Sequence, residues 1–340
     1  MTTFYKRFQT AWVPVTIKDV ARAAGVSPST VSRALSAPDV VQPDTRARVQ
    51  QAAAALGYQP NRAARGLITG RTGNIGLIVP DLTNPFFPGV VKGVQTRARE
   101  SDYSVFLADT DEDATTEAEL VRALIKQVDG IVCCSPRTSE EELRTLAGET
   151  PMVLLNRRVG RIPSVTIDNT DAIRHAVAHL QALGHRRVGF VAGPRNSWSN
   201  RERTRVLRAA TAAAGVELVE LGSVAPQFSG GVAAADVVLA AGVTAVIAYN
   251  DLVALGLLSR FAARGVAVPA EMSVIGFDDI VFAEMVSPSL TTLAQPTERS
   301  GRAAVDLLMQ LLEDPDRSGV LRRELTSQLM VRDSTGPART

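Results

Sequence analysis

From Ile75 to Asp279 the chain repeats one pattern: a short apolar run, then a stretch with helical periodicity. IGLIVP, SVFLAD, DGIVCC and MVLLN read as buried strands, and FFPGVVKGVQTRARE, TTEAELVRALIKQ and SEEELRTLAG read as helices between them. The cycle restarts with the helix NTDAIRHAVAHLQALG, the strand RVGFVAG and the helix RERTRVLRAATAAAG, then GGVAAADVVLAAG, TAVIAYN, DLVALGLLSRFAARG and MSVIGFDD. Such alternation implies parallel sheets joined by right-handed crossovers, and two series imply two α/β lobes. Ligands of open parallel sheets sit beyond the carboxyl ends of the strands. Those ends are polar in both series: Asp81 and Asn84, Asp109 and Asp111, Asn156 and Arg157, Asn250 and Asp251, Asp278 and Asp279. A cleft between the lobes is expected there.

The segment before this core has a different grammar. In TIKDVARAAGVSPSTVSRAL, Ile17, Val20, Ala21 and Ala24 form one apolar helix face. Gly25 supplies the permissive backbone for a turn. Ser27 is placed to cap a second helix, with Pro28 at its first position. Val31 and Leu35 face inward, leaving Ser29, Thr30, Ser32 and Arg33 at the front. A short polar helix mounted this way suits a DNA major groove. Pro43 and Asp44 open a third helix, which stops at Gly57. Charge agrees: up to Ile75 there are ten Lys/Arg against three Asp, a net +7, while the remainder of the chain is −5. That asymmetry suits a polyanion at one end only. QPNRAARGLITGRTGN, which follows, has little apolar surface and is either a linker or a segment that folds on DNA.

Other classes fit poorly. No apolar run approaches the roughly 20 residues of a membrane span, and MTTFYKRFQTAWVP lacks a signal-peptide pattern. The chain is expected in the cytoplasm, on the nucleoid. GRTGNIG has neither dinucleotide-binding nor P-loop spacing and precedes a strand instead of following one. His175 and His179 lack the glutamate of a zinc helix, and no nucleophile–base pair stands out. No cofactor, metal or catalytic residue is expected. Cys133 and Cys134 read as core residues of a buried strand. A transporter's solute-binding protein would match the core but leave the basic head unexplained.

The sequence resembles the LacI–GalR family of bacterial transcriptional repressors. The likeness rests on TIKDVARAAGVSPSTVSRAL, YQPNRAARGL, IGLIVPDLTNPFF, GHRRVGFVAGP, AYNDLVALG, SVIGFDD, LTTLAQP and VRDST, in family order over residues 15–334. It implies an all-α helix-turn-helix head and a two-lobed α/β core with parallel sheets, like periplasmic binding proteins. Residues 1–14 would be an extension, 15–59 the head, 60–73 a hinge helix or linker and 74–334 the effector-binding and dimerisation core. Lobe 1 would take about 74–170 and 296–322, and lobe 2 about 171–294 and 323–334.

The resemblance also implies sites. DNA contacts map to Thr16, Ser27, Pro28, Ser29, Thr30, Ser32 and Arg33, and in the hinge to Asn61, Arg62, Ala64 and Leu67. Arg33 suits guanine O6 and N7. Leu67 matches a leucine wedged into the minor groove, and Gly66 before it weakens the hinge helix by ~1 kcal/mol relative to alanine. Effector contacts map to Asn84, Phe86, Phe87, Asn156, Arg201, Asn250 and Asp278, a set suited to a polyhydroxylated ligand. Trp198 is this chain's own addition, and Trp198 or Phe228 is a further candidate for stacking on a sugar ring. Asp279 reads as structural. The implied assembly is a homodimer on pseudopalindromic operator DNA, switched by a small carbohydrate effector. Its interface is expected on lobe 1, including the helix after Phe87 and that of Pro296–Leu312, without a coiled-coil tetramer.

Overall fold

The computed structural model describes residues 15–36, 40–58, 70–314 and 320–339. It divides into two compact units, Met1–Thr72 and Gly73–Thr340. The expected extension (1–14) and the expected hinge contacts Asn61, Arg62, Ala64 and Leu67 lie outside the described residues.

The first unit holds three helices: α1 (Ile17–Ala24), α2 (Pro28–Ser36) and α3 (Pro43–Leu56). Thr16 is the N-cap of α1; its backbone N–H and its hydroxyl both donate to the Asp19 carboxylate, at 3.0 and 2.6 Å. Gly25 and Gly57 close α1 and α3 in the left-handed region, each at φ 64°, where a side chain would be strained. Val20, Ala21, Ala24, Val31, Ala34, Val49 and Ala53 form the core. Ala34 shares the inner face of α2 with Val31, and Leu35 is only partly buried beside it.

The second unit contains two six-stranded sheets. The first comprises β1 (Asn74–Val79), β2 (Ser104–Asp109), β3 (Gly130–Cys134), β4 (Met152–Leu155), β5 (Ser164–Asp168) and β11 (Arg322–Thr326), in the order β11-β5-β4-β3-β1-β2. The second comprises β6 (Arg187–Ala192), β7 (Glu217–Ser223), β8 (Ala245–Ala248), β9 (Ser273–Asp278), β10 (Thr291–Ala294) and β12 (Gln328–Met330), in the order β12-β10-β9-β8-β6-β7. All strand pairs are parallel except β10–β12. The linking helices are α4 (Phe86–Glu100), α5 (Ala114–Leu124), α6 (Glu140–Glu149), α7 (Thr170–Ala182), α8 (Trp198–Ala214), α9 (Phe228–Ala240), α10 (Asp251–Ala263), α11 (Phe282–Met285) and α12 (Thr297–Glu313).

The apolar runs anticipated the strands at the middle of each sheet together with β2. They did not anticipate β5, β7, β10, β11 or β12. β7 and β11 are exposed or half-buried along their length, so they lack the continuous apolar signal of a buried parallel strand. The chain passes between the sheets after β5, after β10 and after β11. This last crossing falls at Ser327, later than the expected boundary at 322–323, because β11 adds to the first sheet by pairing with β5. The crossings are tied together: Gln295 Nε2 donates to Asn169 Oδ1 at 2.9 Å, and the Ser327 N–H to the Asp168 carbonyl at 3.3 Å.

Helices α4 and α12 pack so closely that a Cβ at Gly301 would meet the Val90 carbonyl oxygen at 2.4 Å. Cys133 and Cys134 are free thiols in buried β3, and burial pushes the Cys134 thiol up to about 12.

Candidate functional site

In the head, α2 presents its first turn outward. Ser27, Pro28, Ser29 and Arg33 are exposed, and Thr30 and Ser32 are half-buried. The Ser27 hydroxyl accepts from the Thr30 N–H at 3.2 Å and lies 2.8 and 2.9 Å from the hydroxyls of Ser29 and Thr30. The cap therefore orders a row of hydroxyls at the helix N-terminus, where backbone N–H groups and the dipole favour an anion. Val31 and Ala34, buried on the opposite face, fix which way this row points.

In the core, the carboxyl ends of the strands converge on a cleft with about 360 Å³ of empty space including its mouth. Glu112, Ser135, Asn156 and Asp278, which line it, all have left-handed backbone at φ 62°, 47°, 58° and 114°. Strained non-glycine residues of this kind gather where a site demands a particular side-chain direction.

Each lobe contributes one buried ion pair to the walls. In the second, Arg203 Nη2 donates to Asp278 Oδ1 at 3.3 Å and Nη1 to the Tyr249 carbonyl, while its guanidinium carbon lies 4.1 Å from the centre of the Phe277 ring. Burial pushes the Asp278 carboxyl up to about 6, against the opposing pull of Arg203. In the first lobe, the Arg137 fork grips the Glu112 carboxylate, with Nη2 to Oε1 at 2.9 Å. Glu117 accepts from the backbone N–H groups of Arg137 and Thr138 at 2.7 and 3.3 Å, holding that loop. Burial presses the Arg137 pKa down, but Tyr249, Glu112 and Glu117 outweigh it, so the guanidinium stays charged. Behind the wall, Asp251 accepts from the Thr292 hydroxyl and the Ile280 N–H at 2.6 and 2.9 Å; burial, then Asp278, holds its pKa well above the usual carboxylate range.

Asn84, Phe86, Phe87, Asn156, Asn250 and Asp278 all line the cleft. Phe86 and Phe87 meet edge to face, 5.1 Å between centroids. The Asn250 amide is already engaged, capping α10 at the Val253 N–H and donating to the Pro226 carbonyl at 2.7 Å.

Arg201, Trp198 and Phe228 do not line it. Arg201 is exposed and reaches only the Asn196 carbonyl, at 3.4 Å. The arginine that α8 contributes to the cleft is Arg203. It shares the inner face of α8 with Asn200, Val206, Leu207 and Ala210, and that helical spacing was the signal distinguishing it from Arg201. Trp198 is half-buried at the start of α8. Phe228 faces a separate apolar groove with Leu255, Leu258 and Phe282. Asp279 pairs with Arg332 at 2.7 Å. The sequence reading missed Glu112, Ser135, Arg137, Ser199, Arg203, Pro226 and Tyr249; apart from Ser199 and Arg203 on α8, these stand on loops or singly at strand ends, where no periodicity flags them.

Residues 16–61 match the profile described as bacterial regulatory proteins, lacI family, and residues 177–335 that of a periplasmic binding protein-like domain. The chain is 34% identical to the HTH-type transcriptional regulator PtxS of Pseudomonas plecoglossicida, covering 97% of this chain and 98% of that one. It is 35% identical to the HTH-type transcriptional repressor CytR of Escherichia coli, covering 94% and 96%. Among solved structures, the lac repressor dimer bound to operator and the anti-inducer ONPF superposes with a TM-score of 0.84 at 28% identity, covering 95% of this chain and 99% of that one. A CelR–cellobiose complex superposes at 0.70 with 33% identity, covering 94% and 99%. With a helix-turn-helix head, a two-sheet core and relatives of this identity over nearly the whole length, the chain belongs to the lacI family of bacterial regulatory proteins, DNA-binding regulators of transcription.

Proposed function

We propose that the protein is a repressor that binds a pseudopalindromic operator as a homodimer and is switched by a small sugar or sugar derivative held between the lobes of its core. The observation that carries this reading is the combination, in one chain, of an outward Ser27–Arg33 helix start in a +7 segment with a cleft walled by two buried ion pairs. Ser29, Thr30, Ser32 and Arg33 would read base edges, with Arg33 bidentate to guanine. Thr16 and Ser27 would fix register on phosphates. Pro28 has no N–H and would contact bases through its apolar ring. Asn61, Arg62, Ala64 and Leu67 would follow the minor groove, Leu67 as a wedge. In the cleft, carboxylates accept from hydroxyls and guanidinium groups donate to them. The cellobiose of the CelR complex and the ribose bound to an Enterococcus faecium family member are ligands of this kind. Its DNA target implies a cytoplasmic protein.

Dimerisation is supported by exposed apolar side chains in the core: Phe106 and Leu107 on the edge strand β2, and Val281, Phe282 and Met285 around α11. Helices α4 and α12, expected from sequence to form the interface, direct much of their apolar surface at each other and at the first sheet.

The test is selection of duplexes bound by the full chain from random sequence, followed by anisotropy titration with sugars. The reading requires an inverted-repeat site, two chains per site, and an affinity that at least one sugar changes. Binding without sequence preference, or as a monomer, refutes it.

A further inference from the structure

We infer that the amino-terminal extension docks on the head itself: residues 4–12 form a short helix whose aromatic face fills a groove between α1 and α3. This goes beyond the reading of the protein as a sugar-switched repressor and does not depend on it.

The groove is walled by Ala23 and Ala24 from the last turn of α1 and by Arg48, Ala52, Ala55 and Leu56 from α3, and holds about 650 Å³ of empty space including its mouth. The last five residues of α3, AAAAL, are apolar on every side of the helix, yet only Ala53 among them is buried and Leu56 is 38% exposed. A helix that is apolar all round is ordinarily covered all round. Small side chains on both walls leave room that large side chains fill.

The extension supplies them. In MTTFYKRFQTAWVP four of the fourteen residues are aromatic, against 5% in the whole chain. Phe4, Phe8 and Trp12 recur every fourth residue with Tyr5 beside them, so a helix gathers them on one face and sets Lys6 and Thr10 on the other. Pro14 stops such a helix. Aromatic side chains bury about 150–250 Å² each, and a helix this short holds only when its apolar face is packed. Reach and charge point to the same groove. Val15, where the extension joins the head, packs on the head core, so the segment is tethered at high effective concentration. Running back antiparallel to α1, the path from Pro14 to Lys6 rises about 12 Å, as does the path from Thr16 to Ala24. That sets Lys6 and Arg7 level with the C-terminal end of α1. The end of α3 lies across the groove and has no basic residue in its last turn, and cations are favoured at helix C-termini. The segment that follows α3, QPNRAARGLIT, carries no aromatic side chain to fill the space.

The experiment uses the full chain with Trp198→Phe, which leaves Trp12 as the only tryptophan, in the absence of DNA. Acrylamide quenching of Trp12 is compared with that of N-acetyltryptophanamide over a dilution series. The expected result is a quenching constant at least threefold below that of the free amide and independent of protein concentration. Protection is lost in Phe8→Asp, within the extension, and in Ala55→Glu, which alters an exposed position of α3 and introduces a good helix former. It persists in Ala47→Glu, at an exposed position of α3 outside the groove. Cooperative melting followed by circular dichroism shows that each variant is folded. A Trp12 quenched like the free amide overturns the inference. Protection that survives Ala55→Glu places the segment elsewhere, and protection that fades on dilution places it on a second copy; either result overturns it as well, as does a loss that Ala47→Glu reproduces.

Discussion

Asp278 offers a direct measure of the charge stored in the cleft. Its carboxyl is raised by burial from 3.8 to about 6 in the folded protein. Above pH 6 the folded state must carry this charge in a low-dielectric wall, whereas the unfolded chain carries it in water. A shift of about two units corresponds to roughly 3 kcal/mol. The sign follows from proton uptake: between pH 3.8 and 6 the folded state binds more protons than the unfolded one, so this group's contribution to stability falls as pH rises and is flat outside that window. Asp278→Asn removes the dependence. It also leaves Arg203 without its carboxylate, a penalty that does not vary over these pH values because arginine does not titrate there. The stability of Asp278→Asn relative to the native sequence should therefore climb by about 2–3 kcal/mol between pH 4 and pH 6.5. Asp251, the neighbouring buried carboxyl, keeps the burial that chiefly raises it but loses the contribution of Asp278, and any resulting change in its titration adds to the rise in the same direction. Urea unfolding of the core, followed by Trp198 fluorescence at several pH values, measures the difference. A difference that is flat with pH would show that the Asp278 carboxyl is not raised, and the argument from the buried pair would fail.

Three further outcomes are expected. Arg33→Ala should weaken operator binding by about 1–3 kcal/mol and relax discrimination at one base pair per half-site, checked by anisotropy on single-base operator variants. Leu67→Ala should weaken specific binding by on the order of 1–3 kcal/mol through a lost wedge, with a smaller bend in a DNA-bending assay and little loss of non-specific affinity, which phosphate contacts sustain; an unchanged bend and affinity would make this segment a passive linker. Phe282→Asp, at a side chain 45% exposed, should loosen the dimer at least tenfold by placing a charge in an apolar contact, read by sedimentation; an unaltered equilibrium would move the interface elsewhere.

Local chemistry determined the head. Thr16 and Ser27 as caps, Gly25 and Gly57 as left-handed stops and the apolar Val20, Ala21, Ala24 and Val31 are short-range signals, and the helices begin and end where those residues stand. Two α/β lobes were likewise legible, because a central parallel strand must be apolar on both faces and so announces itself as a run. The edge strands and the crossing at Ser327 were decided by pairing partners far away in the chain: β11 is exposed along most of its length and becomes a strand of the first sheet only beside β5. The cleft divides the same way. Asn84, Asn156, Asn250 and Asp278 stand at strand ends, a place that topology alone marks for ligands. Arg137 with Glu112 and Arg203 with Asp278 are separated by 25 and 75 residues. No local pattern relates such partners. They come together because a buried guanidinium requires a carboxylate beside it, and only the folded chain determines which one is near enough.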